Sequence, residues 1–93
     1  MIRSFRDKET EAIFSREYAK KIPRGIQKTA YRKLVLIDAA ARLEDLKVPS
    51  GNRLEKLSGN REGRYSIRIN EQWRICFRWR AGDAYEAEIV DYH

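Results

Sequence analysis

The chain has 93 residues, 20 Lys and Arg against 14 Asp and Glu for a net charge of +6, and 42% apolar residues. That length supports one hydrophobic core, so residues 1–93 read as a single domain, and no apolar run approaches the roughly 20 residues of a membrane span. The single cysteine, Cys76, excludes an intramolecular disulfide and no secretory segment opens the chain, so a cytoplasmic protein is expected.

In chain order, Met1–Phe5 alternates weakly and predicts a short edge strand. Residues 9–20 read as a helix with Ile13, Phe14 and Tyr18 on its apolar side, capped by Asp7 or Thr10 and stopping before Pro23. After the Pro23–Gly25 turn, Ile26, Ala30, Leu34, Ile37 and Ala41 recur at helical spacing and predict a second helix of roughly 18 residues. Residues 48–52 are turn-rich and 54–59 read as a short ordered loop. Tyr65, Ile67 and Ile69 then alternate with polar residues, as do Trp73, Ile75, Phe77 and Trp79 with Arg74, Cys76, Arg78 and Arg80. Tight connections at 70–72 and 81–83 make three antiparallel strands. The order β-α-α-β-β-β implies an α+β domain in which both helices cover one sheet face. That face would carry Tyr65, Ile67, Ile69, Trp73, Ile75, Phe77, Trp79, Tyr85, Ala87 and Ile89. The other face is where function is expected.

Charge is unevenly spread. Residues 51–80 carry 8 basic side chains, seven of them Arg, against 3 acidic ones, whereas residues 81–93 carry 4 acidic and none basic. Arginine presents a planar fork of donors suited to phosphate, so this middle segment reads as an RNA-facing surface. Arg68, Arg74, Arg78 and Arg80 share the polar face by parity. Glu86 and Glu88 have the same parity in the last strand and are natural partners for Arg78, leaving Arg68 and Arg74 as the better phosphate ligands. His93, the only histidine, titrates near neutral pH and follows Asp91 and Tyr92; it is either a proton carrier or an ordinary chain end. Taken by itself, Glu55 is a solvent-facing carboxylate. No zinc-ligand spacing, phosphate-cradling glycine loop or nucleophile elbow occurs, so no metal or cofactor is expected.

The run from Leu57 to Phe77 (LSGNREGRYSIRINEQWRICF), with Gly82-Asp-Ala-Tyr and the terminal Val90-Asp-Tyr-His, resembles the HigB toxins of the RelE/ParE superfamily, and Met1–Phe5 fits the same family. The resemblance implies a RelE-like fold and a type II toxin that cleaves mRNA on the 70S ribosome. It also implies a HigA-type helix-turn-helix antitoxin as partner, with operator DNA reached only through that antitoxin and no membrane involved. Arg74 matches the family's phosphate-contacting arginine, and Asp91, Tyr92 and His93 match its C-terminal catalytic cluster. Where some HigB proteins carry a histidine in a His-Pro-Leu-Lys-Gly loop, this chain has Glu55-Lys-Leu-Ser-Gly. The related YoeB toxins place a glutamate there, which turns Glu55 into a candidate base. On this comparison Glu55 takes the 2′-proton, Arg74 neutralises the phosphoryl oxygens and His93 protonates the leaving 5′-oxygen, without a metal. Arg68 is a second phosphate contact, and Arg53, Lys56 and Arg61 form a docking surface for RNA. A ParE-like inhibitor of DNA gyrase and a non-catalytic RNA- or ribosome-binding module are the alternatives. As a residue of an exposed face, Arg74 is expected to tolerate replacement by Ala with the fold retained.

Overall fold

The computed structural model describes residues 1–58 and 63–92. Two helices, α1 (Lys8–Phe14) and α2 (Arg24–Ala39), pack on a four-stranded antiparallel sheet in the order β1 (Glu55–Lys56), β2 (Arg64–Arg68), β3 (Trp73–Arg80), β4 (Asp83–Asp91). Ala30, Leu34 and Ile37 of α2 and Ile13 of α1 meet Ile67, Ile75, Phe77, Ala87 and Ile89 of the sheet in one core, which Leu46 closes from the segment after α2. The α+β expectation and the apolar stripe of α2 as far as Ile37 are observed; Ala41, expected to end the stripe, lies beyond the helix and is exposed.

Four details differ from what the sequence suggests. First, α1 ends at Phe14 rather than near Lys20, and Arg16 takes the left-handed conformation (φ 63°). The next residues serve the core instead: Ala19 and Ile22 are buried, and the Gln27 amide donates to both of their carbonyl oxygens at 2.9 and 2.8 Å. Burial of two apolar residues outweighs the helical periodicity there. At the start of α1, Asp7 rather than Thr10 is the cap, accepting from the Thr10 N–H at 2.7 Å.

Second, Glu55–Lys56 is not a loop but an edge strand, opposite Ser66 and Tyr65 of β2. Third, the N-terminal segment makes only isolated parallel bridges to the far edge of the sheet, Ile2 with Ala84 and Phe5 with Ala87.

Fourth, β4 carries a bulge. Between the pairs Cys76–Glu88 and Arg78–Tyr85, Glu86 and Ala87 face only Phe77, and Glu86 is left-handed with φ 54°. The extra residue reverses parity along the strand. Ala84 therefore faces the core at 0% exposure, and Tyr85 turns to the polar face, where the Arg80 guanidinium lies 5.0 Å from its ring. The bulge is held by the N-terminal segment: the Glu86 N–H donates to the Ser4 hydroxyl and the Ala87 N–H to the Ser4 carbonyl.

The two hairpin connections follow their sequence chemistry. Arg80 pairs with Asp83 across a two-residue loop in which Ala81 (φ 52°) and Gly82 (φ 84°) are both left-handed, the pattern that matches strand twist. At the other end, the Asn70 side chain accepts from the Gln72 and Trp73 N–H groups, both at 2.8 Å.

Candidate active site

The polar sheet face has an arginine at its centre. Arg74 lies opposite Arg68 on β2 and Val90 on β4, and it is 8% exposed. Its Nε donates to the Ser66 hydroxyl at 2.8 Å, and its Nη2 donates to the Arg53 carbonyl at 2.6 Å and the Ser66 carbonyl at 3.3 Å. Left-handed Arg53 (φ 46°) ends a short 3₁₀ turn over Ser50–Asn52, which points its carbonyl oxygen at the guanidinium. That turn is anchored by Asn52, fully buried, whose amide donates to the Leu46 and Val48 carbonyls and accepts from Lys33. Burial and the neighbouring Arg32 lower the Lys33 pKa.

Arg74 is therefore not a surface group, and its expected replacement by Ala without cost to the fold is corrected. Truncation would take the Arg74 donors away from the buried Ser66 hydroxyl and the Arg53 carbonyl, a cost of about 1–3 kcal/mol in all.

Glu55 approaches from β1: its Oε1 is 3.4 Å from Arg74 Nη2, while the side chain stays 55% exposed. Tyr92, 38% exposed, sets its ring 5.7 Å from the Arg74 guanidinium carbon and lines a recess with Glu55, Lys56, Leu57 and Ser58. Glu55, Arg74 and Tyr92, 37 residues apart in sequence, thus form one cluster. Among the described residues Arg74 Nη1 has no hydrogen-bond partner, so two of its donors remain for a ligand. A buried guanidinium with a pre-set direction, an exposed carboxylate beside it and an aromatic ring at the rim can bind a phosphate, take a proton and stack a base.

The other expected site residues are distributed around this cluster. Arg68 is half-buried beside Arg74 and has no ion-pair or hydrogen-bond partner among the described residues. Lys56 and Arg53 are exposed at the rim, although Arg53 contributes its backbone carbonyl to the centre. The Asp91 carboxylate accepts from the Gln72 amide, with both oxygens at 3.2 Å, which ties the last strand to the β2–β3 connection. The Tyr92 N–H bonds the Gln72 carbonyl at 2.6 Å and fixes the ring's position. Arg61 and His93 lie outside the described residues.

Arg64 is the residue the sequence reading passed over. It is 7% exposed, with Nη1 3.4 Å from Glu86 and Nη2 3.3 Å from Glu88. Arg6 reaches Glu88 at 3.1 Å, and Arg78 meets Glu86 at 3.8 Å, the pairing expected for Arg78. These residues, Cys76, Val90, Asp91 and Tyr92 surround a cleft of about 450 Å³ next to Arg74. Extending the alternation of β2 one residue before Tyr65 puts Arg64 on the same face as Ser66 and Arg68, the signal that would have found it. Among the described residues no three His, Cys, Asp or Glu side chains group as metal ligands do.

The fold and the arginine-centred site define a small basic toxin domain of the RelE-like class. Residues 3–93 match the family model described as the RelE-like toxin of type II toxin–antitoxin system HigB, and the chain belongs to that family. It is 41% identical over 85 residues to Toxin HigB-1 of Vibrio cholerae serotype O1, covering 90% of both chains. It is 33% identical over 93 residues to Endoribonuclease HigB of Proteus vulgaris, covering all of both. Among solved structures, YafQ from Escherichia coli BL21(DE3) superposes with a TM-score of 0.58 over 98% of this chain and 93% of that one, at 10% identity, a likeness of fold.

Proposed function

We propose that this HigB-family toxin is a metal-independent endoribonuclease that cuts mRNA on the ribosome. The observation that carries the reading is the Glu55–Arg74 pair beside the Tyr92 ring. Glu55 takes the proton from the ribose 2′-hydroxyl, whose oxygen attacks the adjacent phosphorus. Arg74 neutralises the charge growing on the non-bridging oxygens, and the 5′-oxygen leaves with a proton from His93, giving a 2′,3′-cyclic phosphate and a 5′-hydroxyl. Asp91 holds the C-terminal strand in place through Gln72, and Arg68 adds a second cationic contact. Arg53, Lys56 and Arg61 supply the electrostatic docking surface for RNA. So small a catalytic set depends on a substrate already held in attack geometry, which a ribosome-bound message provides. The reading places the protein in the cytoplasm, silenced by a HigA-type helix-turn-helix antitoxin that alone reaches operator DNA.

The test is single-turnover cleavage of mRNA on programmed ribosomes by the wild type and by His93→Gln. The wild type should yield cyclic-phosphate ends, and His93→Gln should cut roughly 10²-fold more slowly with an unchanged circular dichroism spectrum. Intact message together with inhibited supercoiling by DNA gyrase would overturn the reading in favour of a ParE-like activity.

A further inference from the structure

The Ser50–Asn52 turn and the residues that leave it meet Arg74 twice. Arg74 Nη2 receives the Arg53 carbonyl at 2.6 Å and Glu55 Oε1 at 3.4 Å, so a shift of this one stretch of chain moves both oxygens together. Its position is set by Asn52, which is fully buried. The Asn52 Nδ2 donates to the Leu46 and Val48 carbonyls at 3.2 and 3.3 Å, and its Oδ1 accepts from Lys33 Nζ on α2. Leu46 is itself a core residue at 1% exposure, so the amide ties the turn both to the core and to the helix. An ammonium has donors only, so Lys33 keeps the oxygen end of the amide toward α2 and the nitrogen end toward the two carbonyls. Backbone bonds from the Asn52 N–H to the Pro49 carbonyl and from the Arg53 N–H to the Ser50 carbonyl close the turn. Arg53 then takes the left-handed conformation, which is unfavourable for a residue with a Cβ. The strained residue is the one whose carbonyl meets Arg74.

We propose that Lys33 and Asn52 are positioning residues for RNA cleavage, setting the geometry of the Glu55–Arg74 pair from α2, an assignment that rests on the endoribonuclease reading above. Among the described residues neither bonds Arg74, Glu55 or Tyr92, and Asn52, at 0% exposure, is closed off from substrate. Their action passes through the backbone of the turn to the Arg53 carbonyl and on to Glu55 at the start of β1. Arg74 has to face the phosphoryl oxygens while Glu55 faces the 2′-hydroxyl, and a misplacement of about 1 Å can cost roughly 10²-fold in rate. Without Lys33 the Asn52 oxygen loses its charge-assisted donor and the turn loses its link to α2.

The experiment measures single-turnover cleavage of mRNA on programmed ribosomes over a range of toxin concentrations, giving a maximal rate and a half-saturating concentration. Lys33→Met keeps the aliphatic stem and removes the donor. It should lower the maximal rate at least about tenfold and leave half-saturation within about twofold. Arg32→Gln removes a neighbouring exposed charge that is not bonded to Asn52, and should leave the maximal rate within about twofold. In an Arg74→Ala background, Lys33→Met should slow cleavage by no more than about threefold, because the group it positions is gone. Asn52→Asp cuts the tether at its other end by removing both donors, and should repeat the Lys33→Met pattern. Thermal melts identify which variants are folded at the assay temperature, and either one alone decides. An unchanged maximal rate, or the same factor lost with and without Arg74, would overturn this assignment alone. A change confined to half-saturation would also overturn it and make Lys33 a docking cation. No cleavage by the wild type would overturn the activity and the assignment together.

Discussion

Arg64 and Arg74 lie on the same sheet face and are almost equally buried, at 7% and 8% exposure, yet their surroundings differ in how far they offset the charge. Arg64 meets two carboxylates from β4 and is neutralised. Arg74 is held mainly by neutral oxygens, those of Ser66 and Arg53, and its one carboxylate partner among the described residues, Glu55, is more than half exposed. A buried cation fixed by carbonyls and a hydroxyl leaves most of its charge uncompensated for an incoming anion, whereas one fixed by carboxylates has its field offset by them. Burial alone thus does not distinguish a structural arginine from a functional one. The charge of its partners does.

Predictions that break or sharpen this contrast can be ranked. The largest effect is expected for Arg74→Ala, which should lower cleavage about 10²–10³-fold, the usual loss when a preorganised donor to a reacting oxygen is removed. It should also reduce unfolding free energy by about 1–3 kcal/mol in urea titrations, because Ser66 and the Arg53 carbonyl lose their donor. Arg74→Lys should recover part of the stability but little of the rate, since the fork is lost. Wild-type cleavage by either variant would remove Arg74 from the chemistry.

Glu55→Gln separates rate from stability more cleanly. Cleavage should fall roughly 10²-fold, the lower end of a general base's contribution, while the melting temperature stays near that of the wild type because the side chain is largely solvated. A matching fall in melting temperature would make Glu55 a structural partner of Arg74 rather than a base.

On the neutralised side, Arg64→Ala should cost about 1–3 kcal/mol of stability, less than a fully buried pair, because Glu86 is 44% exposed and Arg6 still covers Glu88. Chemical denaturation checks this, and an unchanged midpoint would mean that the buried network contributes nothing to the fold.

The smallest effect concerns acid. Asp45 is held below the usual carboxylate range by the Arg42 and Ala41 N–H groups, and Asp83 by the Arg3 side chain. A carboxyl with a depressed folded-state pKa stabilises above its unfolded value, near 3.8, and that contribution is lost as pH falls below it. Melting temperature should therefore decline slightly below about pH 4, and Asp83→Asn should flatten the decline.

The sequence by itself determined the α+β class, the apolar face of the central strands, the α2 stripe as far as Ile37 and both hairpin connections, and it narrowed the α1 cap to Asp7 or Thr10. Each depends on residues close together in the chain: alternation fixes a face, periodicity fixes a stripe, and turn chemistry fixes a connection. It also brought Glu55, Arg74 and Tyr92 to notice, through family resemblance rather than spacing. Only the tertiary structure decided what surrounds them. Arg74 reads as an exposed group until the Ser50–Asn52 turn closes over it and the Arg53 carbonyl meets its Nη2. Tyr85 reads as core until one extra residue in β4 reverses the parity, and Arg64 reads as one cation among many until β3 lines it up with Glu86 and Glu88. These outcomes depend on cross-strand register, on a bulge anchored by Ser4 and on contacts more than 20 residues apart in sequence. No local pattern encodes such contacts, because they exist only once the strands have paired.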